Sequence, residues 1–192
     1  MIKNLYLLDS IYEEELKYIL DEIENIKKDL NNIDKVILHI DCLGGITHYS
    51  NEIIRRLNKL SKKIEVEIDI LENAQSSAFT ICLLVHPRIK VKSHETSKFM
   101  VHLPYLLWSK KFIRLHKLLN TTFGKKVKFS ESRLNIDRRK YIDLLEQLPF
   151  SNKQIKDIKS GKDVYLTYKE FYSLRRHIIN NYEIVQPILY KY

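Results

Sequence analysis

Residues 35–102 alternate strand-length apolar runs with short turns and helix-length segments, and this order restricts the possible fold more than any other feature of the sequence. The apolar run at residues 36–40 leads to the Gly44–Gly45 pair, where glycine allows positive φ angles and the close approach of another group. A second run, at residues 64–71, alternates apolar and acidic side chains and leads to the Ser76–Ser77 pair and an apolar segment of helix length. Strand, helix and strand at this spacing predict right-handed crossovers and a parallel sheet, so we expect an α/β fold.

Capping patterns mark two helices outside this stretch. Residues 4–8 have the pattern of a short apolar strand, and Ser10 with Glu13 has the spacing of a capping box for the helix that follows. Thr167 and Glu170 have the same spacing near the C-terminal end, where they predict the start of a second helix. We therefore expect a strand and a helix before the central stretch and a helix close to the end of the chain.

Four short motifs follow one another along the chain. They are Asp-Cys-Leu-Gly-Gly at residues 41–45, Glu-Asn-Ala-Gln-Ser-Ser-Ala at 72–78, Met-Val-His-Leu-Pro at 100–104 and Lys-Asp-Val-Tyr-Leu-Thr-Tyr-Lys-Glu-Phe at 162–171. In order, they resemble Asn-Ser-Pro-Gly-Gly, Gly-x-Ala-Ala-Ser-Met-Gly, Met-Ile-His-Gln-Pro and Arg-Asp-Arg-Phe-Leu-Ser-Ala-x-Glu-Ala, the signatures of the proteolytic subunit of the Clp protease. That subunit belongs to the wider Clp-protease/crotonase superfamily, and the resemblance covers most of the chain.

The resemblance implies an α/β, crotonase-like fold with repeated β-β-α and βαβ units, a parallel sheet and a helical handle. It also implies one Clp-protease-like domain over residues 1–192. Within that domain, residues 1–104 are expected to form the head, which carries the glycine turn, the serine and the histidine. Residues 105–160 are expected to form the handle, and residues 161–192 an aspartate-bearing turn, a C-terminal helix and a tail.

The resemblance further implies a serine peptidase whose triad consists of Ser76, His102 and Asp163. A serine hydroxyl becomes a strong nucleophile when a base takes its proton, and an acid must hold that base in one tautomer. The N–H groups of Gly45 and Ser77 are implied as donors to the oxyanion, and no metal or organic cofactor is implied. Taken singly, the three triad residues also fit a helix cap, a buried histidine and a turn, so their order along the chain carries the prediction.

Two arguments disagree on which serine of the pair is the nucleophile. Counting back from His102 without gaps, against a typical Clp subunit, leads to Ser77. The alternation of the preceding strand leads to Ser76, with Ala74 and Ala78 in the small-residue positions that the family has on either side of its serine. We prefer Ser76, because an insertion in the loop before His102 is easier to accommodate than bulky neighbours beside the nucleophile.

The resemblance also carries expectations about partners and location. The substrate is expected to be a peptide or an unfolded protein, and the chain is expected to form a homo-oligomeric ring. The chain begins almost directly at its first predicted strand, where the family has a further helix and a loop that touches the ATPase, so regulation by an ATPase unfoldase or by another regulator is left open. No apolar run approaches membrane-spanning length, and Cys42 and Cys82 lack metal-ligand spacing, so we expect reduced thiols in a cytoplasmic protein.

Charge and departures from the motifs leave other functions open. Residues 1–72 carry 10 basic and 15 acidic side chains, whereas residues 73–192 carry 23 and 9, and eleven of the basic ones lie in residues 110–140. That basic segment could contact nucleic acid, although a solvated helix face is the simpler interpretation and nucleic acid is an unlikely partner. Glu72 in place of a motif glycine, and the charged segment after His102, support a catalytically inactive Clp-like assembly or partner-binding module as the main alternative. An acyl-CoA enzyme of the crotonase type ranks third.

Overall fold

The computed structural model describes residues 1–104, 134–136 and 138–183. In chain order the elements are β1 (Ile2–Ile11), α1 (Glu13–Lys28), β2 (Lys35–Gly45), α2 (Thr47–Leu60), β3 (Glu65–Gln75), α3 (Ser77–Leu84), β4 (Lys90–Ser93), β5 (Lys98–Val101), α4 (residues 138–146), α5 (Asn152–Lys159), β6 (Val164–Leu166) and α6 (Tyr168–Asn180).

The six strands form one mostly parallel sheet in the order β1-β2-β3-β5-β6. β4 pairs with the first half of β3 and β5 pairs with its last three residues, so both lie along the same edge of β3. β6 runs antiparallel to β5, and the other pairings are parallel. The prediction of an α/β fold with a mostly parallel sheet is confirmed, because α1 and α2 connect parallel neighbours as the strand–helix–strand spacing indicates.

The buried face of the sheet is packed with aliphatic and aromatic side chains. Along β2, alternate residues from Val36 to Cys42 are fully buried, while those between them are only partly covered. The ring of Phe171 on α6 stacks on Phe99 of β5 with 4.2 Å between centroids and meets Phe79 of α3 edge-on at 6.0 Å. These three buried rings hold α3, α6 and β5 together beneath the end of the sheet where the serine and the histidine lie.

β3 is longer and less regular than the sequence predicts. Its apolar run predicts an end at residue 71, but the strand continues to Gln75. Ile40 of β2 pairs with Ile70, whereas Cys42 pairs with Ala74, so β3 contains two extra residues in this interval. Simple alternation would place Glu72 on the same face as Ile70, and that expectation is wrong, because at this irregularity Glu72 is exposed and its carboxylate binds Lys98 at 2.7 Å.

The first predicted helix cap is wrong and the second is confirmed. Ser10 lies within β1, because the strand pairs with β2 as far as Ile11, and α1 begins only at Glu13. The carboxylate that caps α1 belongs to Glu15, which accepts the Tyr12 N–H at 3.1 Å. At α6, the Thr167 hydroxyl accepts the N–H of Glu170, and the Glu170 carboxylate accepts the N–H of Thr167, as a capping box requires.

The expected handle falls mostly outside the described residues. Of residues 105–160, the structure describes only 134–136 and those from 138 onward. In this part Leu144, Leu145 and Leu148 are buried against the core. Most of the basic segment at residues 110–140 also lies outside, as does the tail after residue 183. The division into head, handle and C-terminal segment therefore stays a prediction. Among the helices described, none has the length and apolar character needed to cross a bilayer.

Candidate active site

Ser76 sits on a strained turn between β3 and α3. Its φ of 53° and ψ of −120° place a residue that has a Cβ at positive φ, which is uncommon outside glycine. The Ser76 N–H donates to the carbonyl oxygen of Met100 at 2.8 Å, so the turn is fixed to β5. At the other side of the turn, the Ser76 carbonyl accepts the N–H of Thr80 at 3.1 Å. The surrounding hydrogen bonds thus hold a sharp strand-to-helix turn with the serine at its tip.

The parallel pairing of β3 with β5 brings His102 to this turn. Gln75 pairs with Met100, so the residues that follow each strand meet at the same edge of the sheet. The Oγ of Ser76 lies 2.6 Å from Nε2 of His102, which is hydrogen-bond distance for a hydroxyl and an imidazole nitrogen. The structure therefore brings the predicted nucleophile into direct contact with the predicted base.

The antiparallel pairing of β6 with β5 brings Asp163 to the other side of the imidazole. Val164 pairs with Val101, so Asp163 and His102 adjoin the same end of this strand pair. Oδ1 of Asp163 is 3.3 Å from Nδ1 of His102. The turn before it depends on Gly161, whose φ is 85°. Asp163 is half exposed while His102 is mostly covered, with 51% and 11% of the two side chains accessible to solvent.

Burial and the nearby carboxylate of Asp163 shift the pKa of His102 in opposite directions. Burial lowers the pKa of the His102 imidazole below its usual 6.5, and the negative charge of Asp163 partly opposes this by raising it. The imidazole is therefore neutral at neutral pH, with one N–H and one accepting nitrogen. Because a carboxylate only accepts, the geometry assigns the proton to Nδ1, and the lone pair of Nε2 accepts the hydroxyl proton of Ser76.

The two glycines after β2 are required by two different neighbours. At Gly44, with φ of 100°, an added Cβ would lie 2.6 Å from Cβ of Ser76 and 2.7 Å from the carbonyl oxygen of Gln75. At Gly45, with φ of 153°, an added Cβ would lie 2.3 Å from the carbonyl oxygen of Ile11. The glycine turn therefore packs directly against the serine turn on one side and against β1 on the other.

The predicted oxyanion donors lie on these two adjacent turns. The N–H of Ser77 belongs to the first residue of α3, where helix N–H groups have no acceptor within the helix. Its nitrogen is 3.0 Å from the position that a Cβ on Gly44 would take, so the two turns are in contact. The donor roles of the Gly45 and Ser77 N–H groups stay a prediction.

Ser77 does not occupy the position of Ser76 at the imidazole. Its side chain is buried, and its hydroxyl has no hydrogen-bond partner in the described structure. Of the two serines left open by the sequence, the structure brings Ser76 to His102.

Sequence reasoning missed a polar network beside the serine. Oδ1 of Asp41 accepts both the backbone N–H of Asn73 at 3.1 Å and its side-chain amide at 2.9 Å. The Gln75 amide then donates to the Asn73 side-chain oxygen at 3.0 Å. This chain of bonds joins the ends of β2 and β3 at the irregularity just before Ser76. The signal in the sequence was a set of polar residues at the carboxyl ends of two neighbouring strands.

Two further contacts support the residues of the site. The Sγ of Cys42 is 3.4 Å from the N–H of Gly44, and the buried thiol thereby fills the space beneath the glycine turn. The Arg138 Nε–H donates to the carbonyl oxygen of Pro104 at 2.6 Å, two residues after His102. Among the described side chains, no group of three or more His, Cys, Asp or Glu residues is arranged to hold a metal ion.

Comparisons with known proteins agree with the fold. No family model and no curated protein matches the sequence. A solved structure of a mutant ClpP1 from Listeria monocytogenes matches with a TM-score of 0.60 and 17% identity, and the match covers 90% of this chain and 88% of that one. A likeness at this level of identity is evidence for the fold alone. This chain thus has a mixed α/β fold, with a mostly parallel sheet, that is similar to the fold of ClpP1.

Proposed function

We propose that this chain is a serine endopeptidase of the Clp proteolytic-subunit type, with a crotonase-like fold. The observation that carries the proposal is the 2.6 Å contact between Oγ of a strained serine, Ser76, and Nε2 of a neutral, mostly buried imidazole, His102. The fold shared with ClpP1 and the carboxylate of Asp163 beside Nδ1 of the same imidazole support it.

The proposed reaction begins when Ser76 attacks the carbonyl carbon of a peptide bond. His102 Nε2 takes the hydroxyl proton as the new C–O bond forms, and the carbonyl electrons move onto the oxygen. The N–H groups of Gly45 and Ser77 stabilise the resulting oxyanion, where one such donor contributes about 3–4 kcal/mol to transition-state stabilisation in serine peptidases. His102 then gives its proton to the leaving amine, and a water molecule, activated by the same imidazole, releases the acyl group from Ser76.

Asp163 has a separate part in this mechanism. Its carboxylate accepts the Nδ1–H and so keeps the accepting lone pair on Nε2, next to Ser76. It also stabilises the positive charge that His102 carries after it has taken the serine proton. The resemblance to Clp subunits adds a peptide or unfolded-protein substrate, a homo-oligomeric ring and a cytoplasmic location to the proposal, with an ATPase unfoldase as an open alternative.

A catalytically inactive Clp-like assembly module is the second candidate. The half-exposed Asp163, at 3.3 Å from Nδ1, favours it, because this distance is long for a strong charge-assisted hydrogen bond. The motif glycine replaced by Glu72 now favours it less, since this side chain is exposed and paired with Lys98. Nucleic-acid contact through residues 110–140 stays a minor prediction that expects weak, salt-sensitive binding without sequence preference.

Cleavage of an unfolded reporter protein and of short fluorogenic peptides tests the proposal. We expect the wild type to release peptides from both substrates. Ser76→Ala should lower kcat by about 10³-fold or more, because the nucleophile is lost while binding persists. Ser77→Ala serves as the matched control and should retain activity within a few-fold, since its backbone N–H survives the change. A wild type without activity on any peptide would favour the inactive module.

A further inference from the structure

A cavity of about 330 Å³ lies between α6 and the segment that leads into β4. Its apolar lining includes Pro87, Tyr172 and the exposed Ile179, whereas Ile89 and Val91 line it with little of their surface exposed. The Tyr172 hydroxyl donates to the carbonyl oxygen of Val91 at 3.1 Å. The volume is within the range of small-molecule sites in proteins, about 300–1,000 Å³.

The charged groups around this cavity are all cations. Arg88, Lys90 and Arg176 line it and are exposed to solvent. Within the described residues, none of the three forms an ion pair with an acidic side chain, and no acidic side chain lines the cavity. Three cations at one opening repel one another unless an anion lies between them, so the arrangement favours a negatively charged occupant.

A fourth cation is built into the wall itself. Arg175 is only 3% exposed, and its guanidinium donates to four backbone carbonyls, those of Leu83, Val85, His86 and Ile89. These carbonyls satisfy its hydrogen bonds but carry no full negative charge, and no carboxylate pairs with Arg175 in the described structure. A buried charge without a counter-ion is costly, and an anion in the adjacent cavity would lower that cost.

The lowered pKa of His86, beside the cavity, is consistent with the same positive potential. Burial lowers the pKa of His86, and Arg88, Arg175 and Lys62 lower it further, while Glu183 opposes them. Glu183 is the one acidic group among those acting on His86 in the described structure, and it does not line the cavity. The cations therefore outweigh the acids on this side of the described molecule.

We propose that this cavity binds a small amphiphilic anion, namely a carboxylate or phosphate head group with a short apolar body. The head group would lie among Arg88, Lys90 and Arg176, because guanidinium and ammonium groups bind both kinds of oxyanion. The apolar body would pack on Pro87, Tyr172 and Ile179. The site is separate from the proposed catalytic residues, because Arg175 contacts the C-terminal end of α3, whereas Ser76 precedes its first residue. The proposal does not depend on peptidase activity.

Calorimetric titration at low ionic strength tests this proposal with four probes. Octanoate and octyl phosphate carry both features, octanol lacks the charge, and inorganic phosphate lacks the apolar body. We expect at least one of the two amphiphilic anions to bind with a stoichiometry of one per chain and about tenfold or more tighter than octanol and phosphate. Comparing octanoate with octyl phosphate then identifies the preferred head group.

Variants with one or two cations removed locate the binding. The double variant Arg88→Gln with Arg176→Gln should lower the affinity for the preferred anion by about tenfold or more, since charge-assisted contacts are lost. Arg55→Gln removes an exposed guanidinium on α2, outside the cavity, and should leave binding within about twofold. Circular dichroism on each variant checks that the fold is retained. The proposal is overturned by octanol binding equally well, by phosphate alone binding equally well, by a double variant with wild-type affinity, or by no binding at millimolar probe.

Discussion

Ser76 and His102 illustrate how single residues acquire reactivity from their surroundings. Serine hydroxyls are weak nucleophiles, and in the proposed reaction the neutral imidazole in contact with Ser76 is the base that removes the proton. That imidazole stays neutral because burial lowers its pKa, while Asp163 limits the shift. Burial and the Asp163 charge therefore act in opposite directions on the protonation of His102.

The pH profile of Asp163→Asn separates these two effects. Peptidase activity should fall as the pH decreases through the pKa of His102, which lies below the usual 6.5, because the protonated imidazole cannot accept the serine proton. Removing the Asp163 charge removes the contribution that raises this pKa, so the acidic limb of kcat/KM should move to lower pH. Activity at neutral pH should fall at the same time, by up to about 10⁴-fold, because the imidazole loses its fixed tautomer.

A nearby carboxylate provides the control for that profile. Asp157 pairs with Lys162 at 2.8 Å, and Lys162 directly precedes Asp163 in the chain. Asp157 pairs with Lys162, whereas the carboxylate that raises the pKa of His102 belongs to Asp163. Asp157→Asn should therefore leave the acidic limb in place. An acidic limb that stays fixed, or moves to higher pH, in Asp163→Asn would contradict the assigned role of this carboxylate.

At the scale of elements, the central contact is between two turns at neighbouring strand ends. The glycine turn after β2 and the serine turn after β3 approach so closely that Gly44 has no room for a side chain. Gly161 is the useful comparison, because it also has positive φ, 85° against 100°, but nothing lies within 4 Å of its would-be Cβ. An alanine side chain would therefore overlap neighbouring atoms at Gly44 but would have open space around it at Gly161.

Gly44→Ala should destabilise the protein more than Gly161→Ala. At Gly161 we expect only the cost of placing alanine at positive φ, about 1–2 kcal/mol. At Gly44 the same strain is joined by overlap with Cβ of Ser76 and the Gln75 carbonyl, and overpacking adds about 1–3 kcal/mol more. Urea unfolding of the two variants measures the difference, and peptidase activity should be lost only in Gly44→Ala. Equal free energies of unfolding would show that the two turns move apart easily.

The order of these elements was predictable, but their ends were not. Apolar periodicity located β2, β3 and the helices between them, since the buried face must be apolar for the sheet to pack. Backbone pairing extends β2 through its glycines to Gly45 and β3 through polar residues to Gln75. These strand ends have no apolar pattern in the sequence, so periodicity does not predict them. For the same reason the sequence does not predict the irregularity at Glu72. The preference for Ser76 rests partly on an alternation that does not hold across that irregularity.

At the scale of the molecule, the closeness of distant residues is the least predictable feature. The base and the acid come from positions 102 and 163, and only their motifs, read through a family resemblance, connect them to Ser76. No sequence pattern predicts the cavity beside Arg175, because its lining residues come from two segments about ninety residues apart. Pairing between strands and packing between helices decide such contacts, and neither has a local pattern in the sequence.

We expect the chain to form a homo-oligomer, as the resemblance to ring-forming subunits implies. Exposed apolar side chains on the described surface support this, among them Tyr6 and Leu8 of β1 and Leu71 of β3. The acidic balance of residues 1–72 and the basic balance of residues 73–192 provide opposite charges for contact between copies, and heterologous contacts form a ring where the rotation between copies closes. Sedimentation at micromolar concentration should give a mass several times 23.0 kDa. A single species of monomer mass would contradict the expectation.

Covalent labelling by a fluorophosphonate, with the modified residue identified by mass spectrometry, tests the central claim most directly. An activated serine attacks the phosphorus and expels fluoride, whereas an ordinary serine hydroxyl does not react at a comparable rate. We predict a single modification on Ser76, lost in Ser76→Ala, strongly slowed in His102→Ala and retained in Ser77→Ala. Labelling on Ser77 would move the nucleophile by one residue. No labelling of the folded wild-type protein at either serine would contradict the proposal of a serine peptidase.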